Sequence, residues 1–167
     1  TIFPPYFVAG AIFSGCAMVI TLLMPMTYIY KWEEYVNIWH FENLAKMCLF
    51  TGAILTYAYG MEYIIAWYSQ NPYEQAIFLW RTNGDYALPF WLMVFCNCVS
   101  PLPLWFKKVR TNPIALFVIS IFINIGMWFE RFNIIVSSLA HNFDPATWWY
   151  YWPSNIEWGI LIGSFGW

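Results

Sequence analysis

The stretch Asn124-Ile125-Gly126-Met127-Trp128-Phe129-Glu130-Arg131-Phe132 sets an acid and a base side by side inside an apolar run from 113 to about 139. Such a run is long enough to cross a bilayer, which takes about 20 residues. A charged side chain near the bilayer centre costs about 2.5–3.5 kcal/mol on insertion scales. That cost is sustained only where the charge faces a bundle interior and finds partners there. Successive residues of a helix point about 100° apart, so Glu130 and Arg131 must look to different neighbours. The rest of the chain has to supply the helices that surround them.

Composition agrees with a membrane setting. Of the 167 residues, 61% are hydrophobic, 23% aromatic and only 10% charged, where soluble domains carry about 25% charge. Net charge is −2, which argues against nucleic acid as a partner. Cys16, Cys48, Cys96 and Cys98 all sit in apolar segments and read as small buried hydrophobes. Cys96-x-Cys98 lacks a second pair or a nearby His, so no metal site is expected. No signal-peptide pattern is visible at Thr1, and the chain reads as a piece of a longer one.

Hydropathy and breakers divide the chain into spans at about 7–28, 43–68, 86–106 and 113–139, followed by 159–167 as the start of a truncated further span. The fold class is an all-α integral membrane protein, an up-down four-helix transmembrane bundle (1–158) plus the start of that further helix. Gly10, Ser14 and Gly15 give the first span a small-residue stripe for close packing, and Pro25 is expected to kink or end it. Asn71-Pro72 reads as a helix cap followed by Pro at the first helical position, opening a short interfacial helix at 73–81. Pro89, Pro101 and Pro103 imply bends in the third span, tolerated where neighbours satisfy the freed carbonyls. Pro113 opens the fourth. The aromatic run 148–152 reads as a belt at the membrane–water boundary.

Loop charge gives an orientation. Lys31, Lys46, Lys107, Lys108 and Arg110 fall on one side, and Arg81 on the other. The positive-inside rule puts the basic side in the cytoplasm and the loops 69–86 and 142–158 outside, in the periplasm of a bacterial inner membrane.

The polar residues within the spans form two sets. Counting back from the outer ends at about 1.5 Å per residue places Glu62 and Glu130 at comparable depth, with Asn97 near the middle. Asn124 and Arg131 share a face of span four. Glu62, Asn97, Asn124, Glu130 and Arg131 are therefore expected to converge in one interior, either as a structural Glu–Arg pair or as a proton relay or polar ligand pocket. Near the inner boundary stand His40, Glu42 and Lys46. The i,i+4 spacing of Glu42 and Lys46 favours an ion pair, and the set reads either as that pair with a wet His or as a proton entrance. His40 and His141 belong to opposite boundaries, so they cannot share a haem.

Several stretches read together: Phe3-Pro4-Pro5-Tyr6-Phe7-Val8-Ala9-Gly10, His40-Phe41-Glu42-Asn43-Leu44-Ala45-Lys46, Glu62-Tyr63-Ile64-Ile65-Ala66-Trp67-Tyr68-Ser69, Leu104-Trp105-Phe106-Lys107-Lys108-Val109-Arg110, and Asn124 through Phe132. In combination they resemble the NrfD-like membrane subunits of polysulfide reductases, and within that family the quinol-oxidising membrane subunits of bacterial alternative complex III. The resemblance covers about the second half of the family's longer chain. It implies a second four-helix bundle beside a first that forms most of the quinol pocket. It implies menaquinol oxidation, with electrons passing to iron–sulfur clusters and haem c held by partners: a periplasmic iron–sulfur protein, a multihaem cytochrome c and a homologous membrane subunit. No cofactor is implied for this chain itself. A proton-conducting polar chain carries over onto His40, Glu42, Lys46, Glu62, Glu130 and Arg131. His141-Asn142 and Ser100-Pro101-Leu102-Pro103 depart from the family pattern. Two other readings stand beside this one: a purely structural membrane anchor for redox partners, and a secondary transporter with broken helices.

Overall fold

The computed structural model describes residues 3–84, 86–140 and 151–166, and among them the chain is helical with no strand. Four helical segments are long and apolar enough to cross a membrane: Pro4–Tyr30, Ile38–Tyr68, Ala87–Trp105 and Pro113–Ser137. They run up and down. Tyr6 at the start of the first meets Tyr59 late in the second and Glu130 in the second half of the fourth, while Thr21 further along the first meets Ser120 and Asn124 early in the fourth. The expected fold class is the observed one.

The boundaries are set by local chemistry. Helix α1 (Phe3–Tyr30) carries Pro4 and Pro5 in its first turn, where missing N–H groups cost nothing. Pro25 does not end it. The helix continues through Pro25 to Tyr30, because a packed bundle tolerates one lost backbone bond. It stops at Lys31, which takes the left-handed conformation with φ 54° and reverses the chain. Helix α2 (Ile38–Tyr68) starts earlier than hydropathy alone implies, directly after Asn37, whose extended backbone opens it. His40 and Glu42 therefore ride on its first turns rather than in a loop. Asn71 caps α3 (Pro72–Asn83) as expected, its side-chain oxygen accepting from the Tyr73 N–H at 3.1 Å.

The third span is three pieces in line. Helix α4 (Ala87–Val94) passes into a π-helical turn over Phe95–Val99 and then a 3-10 turn over Leu102–Trp105. Pro101 and Pro103 explain the change: neither can donate to the carbonyl one turn back, and the Ser100 N–H instead reaches the Phe95 carbonyl at 2.9 Å. The basic segment after it forms the single turn α5 (Lys107–Arg110), and α6 (Pro113–Ala140) is the fourth span. Helix α7 (Asn155–Gly166) begins before Gly159. The reason is a capping box that hydropathy overlooks: Glu157 Oε2 accepts from the Ser154 N–H at 2.6 Å and Ser154 Oγ from the Glu157 N–H at 3.4 Å. His141 and the run 148–150 lie outside the described residues.

Tight crossings hold the bundle in register. Phe13, Leu55, Leu116 and Ile123 are fully buried between α1, α2 and α6. Gly52 admits the Phe13 ring, which would lie 3.0 Å from a Cβ there. The closest approach is between α6 and the π-helical turn, where a Cβ on Gly126 would fall 2.6 Å from Cys96 Cβ and into the Asn97 side chain. Overpacking of this kind typically costs about 1–3 kcal/mol. Gly126→Ala is expected to lower the thermal stability of the solubilised protein by that amount. Gly15→Ala, at a site with nothing within 4 Å of the added Cβ, is expected to leave it unchanged or raise it by up to about 1 kcal/mol. Equal melting temperatures for the two variants would show that the α6 crossing is not tight.

Candidate functional site

Glu130 is the best-buried charged side chain among the described residues, with 0% of its surface exposed. Its two oxygens are met from three other helical segments. Tyr6 Oη of α1 donates to Oε1 at 2.6 Å. Tyr59 Oη of α2 donates to Oε2 at 2.7 Å. Asn97 Nδ2 of the π-helical turn lies 3.2 Å from Oε2 and 3.2 Å from Tyr59 Oη. The Tyr6 and Tyr59 rings meet edge to face, centroids 5.7 Å apart. Gly126 stands one turn before Glu130 on α6, so its close crossing brings Asn97 within reach of the carboxylate. Every one of the four spans contributes one residue to this cluster.

The residues expected to converge do so only in part. Asn97 and Glu130 meet directly. Glu62 stands apart near the C-terminal end of α2, 49% exposed, and its partner is Arg81 of α3 at 3.8 Å. It remains within electrostatic reach of Glu130. Arg131 does not pair with an acid among the described residues. Its guanidinium lies over the Phe7 ring, 4.9 Å from the centroid, and beside Gly10, a cation–π placement that satisfies a charge where no carboxylate turns toward it. Asn124 belongs to a separate layer nearer the N-terminal end of α6, donating to Thr21 Oγ1 at 3.0 Å, with Ser120 Oγ 2.9 Å from the same hydroxyl. The expected five-residue convergence is thus a two-residue one. Sequence spacing settles which residues share a helix face, and packing settles which faces turn inward.

At the N-terminal end of α2 Glu42 and Lys46 form the expected i,i+4 pair at 3.2 Å. Arg110 of α5 joins it, 3.9 Å from the same Glu42 oxygen. This ties the loop after the third span to the start of α2. His40 is exposed on the first turn of α2 and packs edge to face on Trp39. Among the described residues no three of His, Cys, Asp and Glu come together in a metal-sized group.

Six members of the two polar sets escaped the sequence reading: Tyr6, Tyr59, Arg81, Arg110, Asn133 and Ser137. Tyr59 carried a signal, since it lies one turn before Glu62 on the same helix. Arg81 carried another as the lone basic residue of its boundary. From α3 its Nε donates to Ser137 Oγ of α6 at 3.1 Å, and the Ser137 hydroxyl in turn donates to the Asn133 carbonyl. Asn133 is buried, with its Nδ2 3.8 Å from Met93 Sδ.

The comparisons with known proteins come to bear on this geometry. No curated protein sequence matches the chain. The family described as "Polysulphide reductase, NrfD" matches residues 1–141, which takes in all four spans and both polar sets. Members of that family are membrane subunits of redox enzyme complexes. With four spans of membrane-crossing length and a match over most of its sequence, the chain is a multi-pass membrane protein of the NrfD, polysulphide reductase, family.

Proposed function

We propose that the chain is a membrane subunit of a quinol-oxidising complex of the alternative complex III type. Its bundle takes up and passes on protons released when the quinol is oxidised. Oxidation of a quinol to a quinone releases two electrons and two protons. The electrons leave through iron–sulfur clusters and c-type haems in partner subunits on the outer side, with menaquinol as the substrate of the whole complex. The protons need titratable groups and a polar way out.

The observation that carries this reading is the Glu130 cluster. A fixed Glu–Arg pair would hold its proton count constant. Glu130 instead sits among two phenol hydroxyls and an amide. A carboxyl group in that company can be held by donors when ionised and can itself donate when protonated. Tyr6 and Tyr59 can each give one proton while taking another, so they extend the acid's reach toward α1 and α2. Asn97 holds the geometry. Glu62, half exposed and paired with Arg81 at the outer end, is the acceptor nearest the water. His40 and the Glu42–Lys46–Arg110 group lie at the other boundary, where the positive-inside rule places the cytoplasm.

Glu130→Gln keeps the shape and removes the titration. In the assembled complex it is expected to lower quinol oxidation by about 10²–10⁴-fold, the usual worth of a positioned acid or base, with assembly intact. Tyr59→Phe is expected to give a smaller loss, and Arg131→Gln, which breaks no carboxylate contact, the smallest. Unchanged turnover in Glu130→Gln would overturn the reading and leave the bundle as an anchor for redox partners.

The orientation has its own test. A cysteine introduced at Gln70 is expected to react with a membrane-impermeant maleimide applied from outside, and one at Thr111 only after the membrane is opened. The reverse pattern would invert the assignment of sides.

A further inference from the structure

The polar groups around Glu130 continue along α6 toward its C-terminal end. Toward the outer end of α6, Asn133 and Ser137 follow Glu130 on the same face at i+3 and i+7. Ser137 Oγ accepts from Arg81 Nε at 3.1 Å, and Arg81 Nη1 lies 3.8 Å from the half-exposed Glu62. From Glu130 to Ser137 is seven residues of helix, about 10 Å of rise. Midway stands a buried acceptor with nothing to accept: Asn133 Oδ1 has no hydrogen-bond partner among the described residues. Buried polar atoms in folded proteins are hydrogen-bonded, to water where no protein donor reaches them.

The opposite direction is closed. Below the Glu130 layer come Phe13, Ala17, Leu55 and Ile123, each fully or almost fully buried, with Cys48 against Phe13 and the Thr51 hydroxyl closed onto its own helix carbonyls. Asn124, six residues from Glu130 on α6, is satisfied together with Thr21 and Ser120. The second unpartnered acceptor near Glu130, Asn97 Oδ1, faces Gly126 at a crossing too close for even a methyl group.

We infer that water threads the bundle from its outer surface to Glu130 along Asn133, Ser137 and Arg81, and that the apolar layer beneath seals it from the inner side. Asn133 is the positioning residue of this route, and its free carbonyl oxygen holds a water between Glu130 and Ser137. The groups facing Glu130 across the other elements are Tyr6, Tyr59 and Asn97, with Glu62 and Cys98 within electrostatic reach. Under the proposed function the protons taken up by Glu130 then leave to the outer side, and this bundle is a one-sided exit rather than a channel through the membrane. The hydration itself does not depend on that function.

Radiolytic hydroxyl labelling of the complete complex in lipid tests it, because hydroxyl radicals made from an internal water modify the side chains beside that water. Met93 and Cys48 are matched reporters: both react fast with hydroxyl radicals, and both are buried, at 5% and 1% exposure. Met93 adjoins Asn133, and Cys48 adjoins Phe13 in the apolar layer. Met93 is expected to be modified many times faster than Cys48, and Asn133→Leu is expected to suppress the Met93 signal several-fold without changing that of Cys48. Equal protection of both sulfurs in the parent would show that the route is dry. Equal modification would show that the inner layer is wet. Either result overturns the inference. Should Asn133→Leu fail to assemble, Ser137→Ala serves as the second variant, with the same loss at Met93 expected. Fast Met93 labelling together with full turnover in Glu130→Gln would retain the water route and remove only its catalytic use.

Discussion

A carboxyl group buried in a membrane bundle and paired with no cation among the described residues is the constraint around which these four spans are arranged. Isolated in a low-dielectric interior, an ionised carboxylate costs many kcal/mol. Here the cost is offset by one donor from each of the other three spans: Tyr6, Tyr59 and Asn97. This makes the cluster a register lock as well as a site. Sliding any helix by one residue turns its face by about 100° and removes a donor. Two backbone features make the meeting possible. Gly126 lets α6 approach the third span closely, and the π-helical turn enforced by Pro101 sets Asn97 at that crossing. Neither feature is chemical in itself, yet without both the Asn97 amide would stand too far from Glu130.

The spans were legible because hydropathy integrates over about 20 residues and forgives local error. The Asn71 cap and the Glu42–Lys46 pair were legible because both are contacts within one helix, where spacing fixes distance. What spacing does not fix is the rotation of one helix against another. Glu130 and Arg131 show this most plainly. Adjacent in sequence, they diverge by about 100°, so one of them had to face the interior polar cluster and the other had to settle elsewhere. Packing sends the acid inward and lays the base along α1 over Phe7 and Gly10. Tyr6 was hidden by its place at a helix start, where an aromatic reads as an interface residue. Arg81 was hidden in a connecting segment whose helix, α3, had first to fold back against the bundle before its guanidinium could reach Glu62 and Ser137.

Polar residues in this bundle do two kinds of work, and their partners separate them. Thr21, Ser120 and Asn124 satisfy one another across α1 and α6 and hold two helices together, as small hydroxyl and amide side chains do in lipid. Glu42, Lys46 and Arg110 tie two elements at the N-terminal end of α2. Neither group contains a buried side-chain acid. The line from Glu130 through Asn133 and Ser137 to Arg81 and Glu62 is different: it joins a buried acid to a half-exposed one and contains an acceptor that no described side chain fills.

That difference bears on what a buried acid can be for. An acid held only for register is best paired permanently, because a fixed cation removes any tendency to change protonation. The chain had such a cation one residue away, in Arg131, and another at the outer end, in Arg81. The first is turned onto an aromatic ring and the second is engaged with Glu62 and Ser137. Among the described residues Glu130 is held by hydroxyl and amide donors, partners that tolerate either of its protonation states. Tyr6 and Tyr59 can follow a change at the carboxyl by rotating a hydroxyl, at far smaller cost than breaking a buried ion pair, which runs to about 3–5 kcal/mol. A bundle built merely to stand in a membrane has no use for that freedom, whereas one that must accept a proton and release it again depends on it.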